Sequence, residues 1–242
     1  MRASGLRAAA VAIACACGQP PADRLSDDAA RSVDSGVHPP PPTAALPAPR
    51  AAALLATRHE AQQSFDRARK ALLESDYRTC ARHLADGADF MRTHAAEAEL
   101  GAIAALQGSA KELEFFADRL SRGDTLTIRS LDRILANANR AEAQHHLTRA
   151  VAALTDRRYQ NAGEEILMSV DHLERTAHDL RRPYDPNVTP ALSDARALAG
   201  RLLSGGSATR AEWKRVTAQL TAELRRLCAI IDVEARACAV EA

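Results

Sequence analysis

Histidines and carboxylates are the side chains in this sequence whose types and spacing could do chemistry. The chain has eight histidines, and Glu142-Ala-Gln-His145 places a carboxylate three residues before an imidazole. On a helix, residues three apart lie on one face, so these two groups could bind one metal ion. Further candidates that could converge from neighbouring helices are His83, His94, Glu97, His172, Glu174 and His178.

The spacing Glu-x-x-His is used by helical bundles that hold a di-iron centre, and such bundles need two copies of it. The one copy here is Glu142 to His145. We therefore expect no metal ion and no other cofactor, with the histidines lying at the surface or between helices. A metal site built on Glu142 and His145 is the alternative.

Motifs of known catalytic sites are missing from the sequence. It contains no glycine-rich phosphate loop, no Cys-x-x-Cys pair and no serine or cysteine nucleophile motif. We expect a protein that is not an enzyme. The 32 basic and 31 acidic residues give a formal net charge of +1. Because no overall field attracts polyanions, we expect no binding to nucleic acid.

Three cysteines lie beyond the first 17 residues. Cys228 and Cys238 are ten positions apart on one predicted helix, which separates them by about 15 Å and prevents a disulfide between them. Cys80 could pair with either one in an oxidising compartment. Buried free thiols are the other interpretation.

Residues 1–17 have the layout of a bacterial export signal. Arg2 and Arg7 precede an apolar run over residues 8–14, and Cys15-Ala-Cys17-Gly18 supplies small residues where a signal is cut. About nine apolar residues are too few to span a bilayer, which takes roughly 20 in a helix. The segment is therefore predicted to direct export and not to anchor the chain by itself.

This layout resembles the lipoprotein, or type II, signal class, in which a cysteine after small residues is acylated and becomes the first mature residue. The resemblance implies lipid modification of Cys17, with Cys15 as the alternative. It also implies attachment to a membrane on the periplasmic side of the bacterial envelope. An ordinary cleaved signal would instead leave a soluble periplasmic protein.

A proline-rich tether is predicted over residues 18–49. Eight of the eleven prolines lie between Pro20 and Pro49, with four in succession after His38. Such composition cannot bury enough apolar surface to fold, and its proline run favours extended polyproline II. We interpret the segment as a spacer between the lipid and a folded domain at 50–242.

The folded domain is predicted to be all-α. Alanine and leucine carry most of its apolar fraction, and no proline occurs between Arg50 and Arg182. Apolar residues recur three and four positions apart, which is the spacing of one helical face.

An internal repeat organises this domain. Ala68–Ala88 and Ala150–Val170 share Ala-x-x-Ala-Leu followed by Tyr77 or Tyr159, and the offset is 82 residues. Matches at the same offset continue as far as Arg215. We interpret the domain as two tandem three-helix units, about 61–141 and 143–223, that form a helical bundle or a short α-solenoid.

The repeat also predicts where the first unit is interrupted. Gly101 and Gly108 align with Pro183 and Pro190, where the second unit must break. We therefore expect a break in the helix near Gly101 to Gly108.

Each tyrosine begins a pattern of a small residue at +3, a bulky apolar residue at +7 and a small residue at +10. The positions are Tyr77, Cys80, Leu84 and Gly87, and Tyr159, Ala162, Ile166 and Ser169. The pattern resembles the second helix of a tetratricopeptide repeat. The resemblance implies packing as helical hairpins, with Tyr77 and Tyr159 at positions that pack the hairpin or bind a partner.

These features together predict an envelope lipoprotein that acts without catalysis, as a binding, scaffold or adaptor protein. Its expected partners are the membrane, through the lipid, and another envelope protein. The alternative is a metal-binding or metal-sensing periplasmic helical bundle that uses Glu142 and His145.

The lipid anchor can be tested by fractionating cells that express single variants. Cys17→Ala is expected to move the protein from the membrane fraction to the soluble fraction, because the acylated residue is lost. Cys15→Ala is the matched control and should stay with the membrane. Equal membrane association of Cys17→Ala and the unaltered protein would contradict the assignment.

Overall fold

The structure is a computed structural model that describes residues 62–182 and 188–240. Over these ranges the chain forms seven helices and no strand. They are α1 over residues 62–73, α2 Tyr77–Ala96, α3 Leu100–Ser121, α4 Ile128–Thr155, α5 Tyr159–Asp179, α6 Val188–Leu203 and α7 Arg210–Val240. The predicted all-α fold, packed as a helical bundle, is confirmed. The predicted signal at 1–17, with Cys15 and Cys17, and the tether at 18–49 lie outside the described residues.

Short polar side chains start two of the helices. The Asp76 carboxylate accepts a hydrogen bond from the Thr79 backbone N–H at 3.0 Å before α2. The Thr127 hydroxyl accepts one from the Ser130 N–H at 3.1 Å before α4. Both satisfy backbone donors that the first helical turn leaves unpaired. Local sequence therefore sets where these helices begin.

The break between α2 and α3 lies at residues 97–99, ahead of Gly101 and Gly108, which are both inside α3. The expected position is therefore wrong by a few residues. The Glu97 N–H bonds to the His94 carbonyl three residues back, which tightens the last turn, and Glu99 is extended with φ −66° and ψ 150°. A glycine inside a helix costs only about 1 kcal/mol, so neither glycine has to interrupt it.

Two hydrophobic clusters form the core and share α4. The first contains buried residues from Phe65 to Ala141, on α1, α2, α3 and the first half of α4. The second contains residues from Ala143 to Leu227, on the rest of α4 and on α5, α6 and α7. Glu142 lies at the boundary between them. None of the described helices combines the length and the apolar character that crossing a membrane requires.

The boundary at residue 142 falls where the sequence places the junction of its two units. Several structural landmarks also recur 82 residues apart. Left-handed backbone occurs at Ser75 and Arg157 and at Gly123 and Gly205, while α2 and α5 begin at Tyr77 and Tyr159. The duplication itself stays a prediction.

Helix α4 is buried on all sides over residues 131–143, although it is rich in polar residues. Its buried polar side chains are Asp132, Arg133, Asn137, Asn139, Arg140, Glu142, His145 and His146, none of them more than 9% exposed. A helix buried all round is usually apolar, because a buried polar group without a partner is costly. The surrounding helices must therefore supply partners to α4.

An ionic cluster supplies partners near the start of α4. The Arg69 guanidinium of α1 bonds Asp132 at 2.9 Å and Asp179 at 2.8 Å, and so bridges α4 and α5. Arg181 binds the second oxygen of Asp132 at 2.8 Å. Helix α1 is thereby fastened to both central helices by charge as well as by apolar contact.

Helices α5 and α6 approach each other closely at Gly163. A Cβ atom at this position would lie 2.9 Å from the Ala199 carbonyl oxygen and 3.2 Å from the Leu202 Cβ. Gly108 provides a comparison, because a Cβ built there meets nothing within 4 Å.

We expect Gly163→Ala to lower the free energy of unfolding by about 1–3 kcal/mol, because the added methyl group must push the two backbones apart. Gly108→Ala should raise it by about 0.5–1 kcal/mol through helix propensity alone. Urea denaturation measures both. Equal effects of the two substitutions would contradict the close approach of α5 and α6.

Candidate metal centre

Three potential metal ligands meet where the two hydrophobic clusters adjoin. Glu142 and His146 lie one turn apart on α4, so they share a face, and His172 comes from α5. One ligand atom from each residue can be chosen so that all three lie within 4.8 Å of one another. The three side chains converge because α4 and α5 pack along their lengths.

The His146 ring is oriented by a carboxylate outside the ligand set. Its Nδ1 lies 2.7 Å from Oε2 of Glu165, and Oε1 of Glu165 binds Arg149 at 2.9 Å. A carboxylate can only accept, so Nδ1 carries a hydrogen, and in the neutral ring Nε2 is the nitrogen with the lone pair. Nε2 lies 3.8 Å from Oε2 of Glu142. This is the carboxylate–histidine arrangement that orients histidine ligands of metals.

The His172 ring is oriented by an amide in the same way. Its Nδ1 lies 3.1 Å from Oδ1 of Asn139. The Asn139 amide nitrogen donates to Asp179 at 2.9 Å, which fixes the amide orientation and leaves Oδ1 as the acceptor. Nδ1 of His172 is therefore the donor and Nε2 keeps its lone pair. The rings of His172 and His146 stack with centroids 5.5 Å apart.

Glu142 completes the set with one occupied and one unpaired oxygen. Its side chain is 1% exposed, and Oε2 accepts a hydrogen bond from Nδ1 of His94 at 2.7 Å. Oε1 is buried and has no hydrogen-bond donor among the described residues. Leaving a buried carboxylate oxygen unpaired is costly. A cation would remove that cost.

The protonation states suit metal ligands. Burial acts to raise the pKa of Glu142, but the hydrogen bond from His94 and the attraction of the neighbouring imidazoles together lower it below its usual value, so the group is a carboxylate. Burial lowers the pKa of His172 to about 3, which keeps that imidazole neutral. Metal ligands have to be deprotonated, and these two already are at neutral pH.

Glu165, the outer partner of His146, is also ionised. Burial acts to raise its pKa, yet the hydrogen bond to His146 and the nearby charge of Arg149 lower it below the usual value. Its negative charge is paired with the guanidinium of Arg149.

His145, the ligand suggested by the Glu-x-x-His spacing, lies beside this group. It is 1% exposed, and its ring centroid is 5.2 Å from that of His146 and 5.4 Å from that of His94. Its Nδ1 is buried without a partner among the described residues. The structure brings Glu142 together with His146 and His172, and ligation by His145 stays a prediction. The four-residue spacing Glu142 to His146 was the signal the sequence offered for the closer pair.

The other predicted positions lie apart from this site. Tyr77 and Tyr159 are the first residues of α2 and α5, and they pack half-buried against different hydrophobic clusters. This arrangement fits the packing role; partner binding by either tyrosine stays a prediction. His83 lies 3.4 Å from Asp86, and Glu174 pairs with Arg196.

Two of the cysteines can be placed. Cys80 is a buried free thiol, and Cys228 is also buried. Burial raises the pKa of Cys80 to about 11, so this thiol stays protonated at neutral pH. Neither thiol belongs to the metal-ligand group.

Comparisons with models of protein families, with curated proteins and with solved structures returned no match for this chain. Its function has to be argued from the site itself. Two imidazoles and one carboxylate form a donor set suited to borderline transition metals such as Zn²⁺, Co²⁺ or Fe²⁺. Mg²⁺ and Ca²⁺ prefer shells of oxygen.

The buried histidines predict acid sensitivity of the metal-free protein. Burial lowers the pKa of His172 to about 3 and that of His145 to about 4, from 6.5. Below pH 6.5 the unfolded chain takes up protons at both positions and the folded chain does not, so the free energy of unfolding should fall as the pH drops from 6.5 towards 4.

Urea midpoints measured between pH 7.5 and 4.5 in the presence of a chelator test this expectation. His172→Gln should show a shallower decline, and His178→Gln, which alters an exposed histidine on the same helix, should follow the unaltered protein. An unchanged slope in His172→Gln would contradict it.

Proposed function

We propose that this protein binds one divalent transition-metal ion through Glu142, His146 and His172. The observation that carries the proposal is that each ligand is held by its own outer partner: His94 for Glu142, Glu165 for His146 and Asn139 for His172. In each of the three ligands, one potential metal-binding atom takes no part in the hydrogen bond to the outer partner. Such outer partners are typical of metal sites.

Charge and geometry suit a cation of this class. The Glu142 carboxylate places one negative charge at the ligand atoms, while the charge of Glu165 is paired with Arg149. Zinc binds imidazole nitrogen at about 2.0–2.1 Å. The ligand atoms lie within 4.8 Å of one another. A small movement of the three side chains would bring all of these atoms within binding distance of one ion.

The surroundings favour retention or sensing of the metal over catalysis. One described cavity, of about 170 Å³, is lined by charged residues at the ends of α4 and α5 together with Glu234. A second, of about 330 Å³, lies along α1 and α5. None of the three metal ligands lines either cavity, so neither places a substrate at the metal.

We also propose that the protein acts on the periplasmic side of a bacterial envelope, attached by lipid at Cys17. The support is the signal layout of residues 1–17 and the proline-rich spacer that follows. A metal-binding domain on a tether would act as a sensor or buffer in that compartment. A scaffold or adaptor role is the second candidate, favoured by the repeated helices and the missing catalytic motifs.

Metal titration of untagged protein tests the site. We expect about one equivalent of Zn²⁺ or Co²⁺ per chain, measured by elemental analysis and by the visible absorption of bound Co²⁺. Glu142→Gln and His172→Gln each remove a ligand and should weaken binding by more than about 100-fold. Glu165→Gln removes only an outer partner and should cost about 10–100-fold.

His178→Gln is the matched control, since His178 is exposed on the same helix as His172. It should bind metal as the unaltered protein does. Equal stoichiometry and affinity in Glu142→Gln, His172→Gln and the control would contradict the proposal.

A further inference from the structure

One histidine of the first hydrophobic half reaches the metal centre from outside the three-ligand set. His94 lies in the last turn of α2, and its Nδ1 is 2.7 Å from Oε2 of Glu142. The backbone of α2 packs against α3 rather than against α4 or α5. His94 is therefore the point at which α2 meets the metal centre.

We propose that His94 is the fourth ligand of the metal, so that the bound ion joins α2 to α4 and α5 and fastens the two halves of the bundle together. The inference rests on the metal site proposed above. It completes a His₃Glu set, and zinc sites with four protein ligands are closed sites with no position left for a substrate.

Without metal, Nδ1 of His94 carries the hydrogen that it donates to Glu142. To bind the ion through Nδ1, the neutral ring gives that hydrogen to water and takes one up at Nε2. The His94 side chain is 25% exposed, which gives the ring contact with water for this exchange and the ion a path inward. The Glu142 oxygen exchanges a hydrogen-bond donor for the metal.

His145 is the competitor for the fourth position. Its Nδ1 is buried without a partner, but it lies on α4, the helix that already supplies two ligands. Ligation by His145 would leave α2 outside the site. His94 is favoured because it already contacts Glu142.

A second link connects the site to α1, the helix that precedes α2. His172 donates to Asn139, Asn139 donates to Asp179 at 2.9 Å, and Asp179 accepts from Arg69 of α1 at 2.8 Å. Fixing His172 on the metal also fixes Asn139, to which its other nitrogen is bonded. The α1–α2 hairpin is thus linked to the site at two points, through His94 on α2 and through Arg69 on α1, and each link leads to a proposed metal ligand. Metal binding should therefore stabilise the packing of the hairpin against α4 and α5.

X-ray absorption of the zinc-loaded, untagged protein counts the imidazole ligands. We expect three in the unaltered protein, two in His94→Gln and three in His145→Gln. Three imidazole ligands in His94→Gln, or the loss of one in His145→Gln but not in His94→Gln, would overturn the inference and leave the proposed metal site standing. If the unaltered protein binds no zinc, the proposed function itself fails.

Amide hydrogen exchange of the unaltered protein tests the inference even if His94→Gln does not fold. In the unaltered protein, zinc at 100 times its Kd should slow exchange in the last two turns of α2 by up to about 100-fold, because opening there would release a ligand. In His94→Gln the α2 effect should vanish while the effect around His172 remains. His83→Gln, also on α2, should behave like the unaltered protein. Zinc binding that leaves α2 exchange unchanged would overturn the inference.

Discussion

The whole bundle depends on one constraint: the polar side chains of α4 have to find partners although the helix is buried on every side. Helices α1, α2, α3 and α5 each supply α4 with at least one charged, amide or imidazole partner. Arg69 meets Asp132, Glu112 meets Arg133 at 2.7 Å and Asn137 at 2.7 Å, and His94 meets Glu142. Hydrophobic burial holds the helices together, but these pairings fix which face of α4 each neighbour meets, because a misplaced neighbour would leave a buried charge unpaired.

The candidate metal centre is an extension of this polar network. Where Asp132 meets Arg69 and Arg133 meets Glu112, the charges cancel. At Glu142 and His172 the balance differs, because an ionised carboxylate and a neutral imidazole offer lone pairs without enough donors. An unpaired Oε1 on Glu142 and an unpaired Nδ1 on His145 are the result. The packing that pairs Asp132 and Arg133 thus leaves lone pairs unused in the middle of α4, where we propose that the metal binds.

Much of the architecture could be predicted from local sequence. The proline-free stretch and the three-four spacing of apolar residues predict an all-α domain, and the Glu-x-x-His spacing points to Glu142. The partner ligands could not be chosen in the same way. His145 and His146 are adjacent, and only the rotation of α4 against α5 decides which one faces His172, 26 residues beyond His146 in the sequence. The break before α3 was predicted a few residues too late because it was assigned to glycines, which disfavour a helix only weakly. The break in the structure ends at Glu99 and contains neither Gly nor Pro.

The continuous path of α4 through both hydrophobic clusters has a consequence for folding. Neither half has a complete core without its share of that helix, and a cut at residue 142 would expose apolar surface on both sides of the break. Two halves joined by a loop could unfold separately. Because these two halves share one helix, unfolding of either half removes part of the core of the other. The described part of the chain should therefore lose its structure in one cooperative transition, and its halves should not be separable as independent domains.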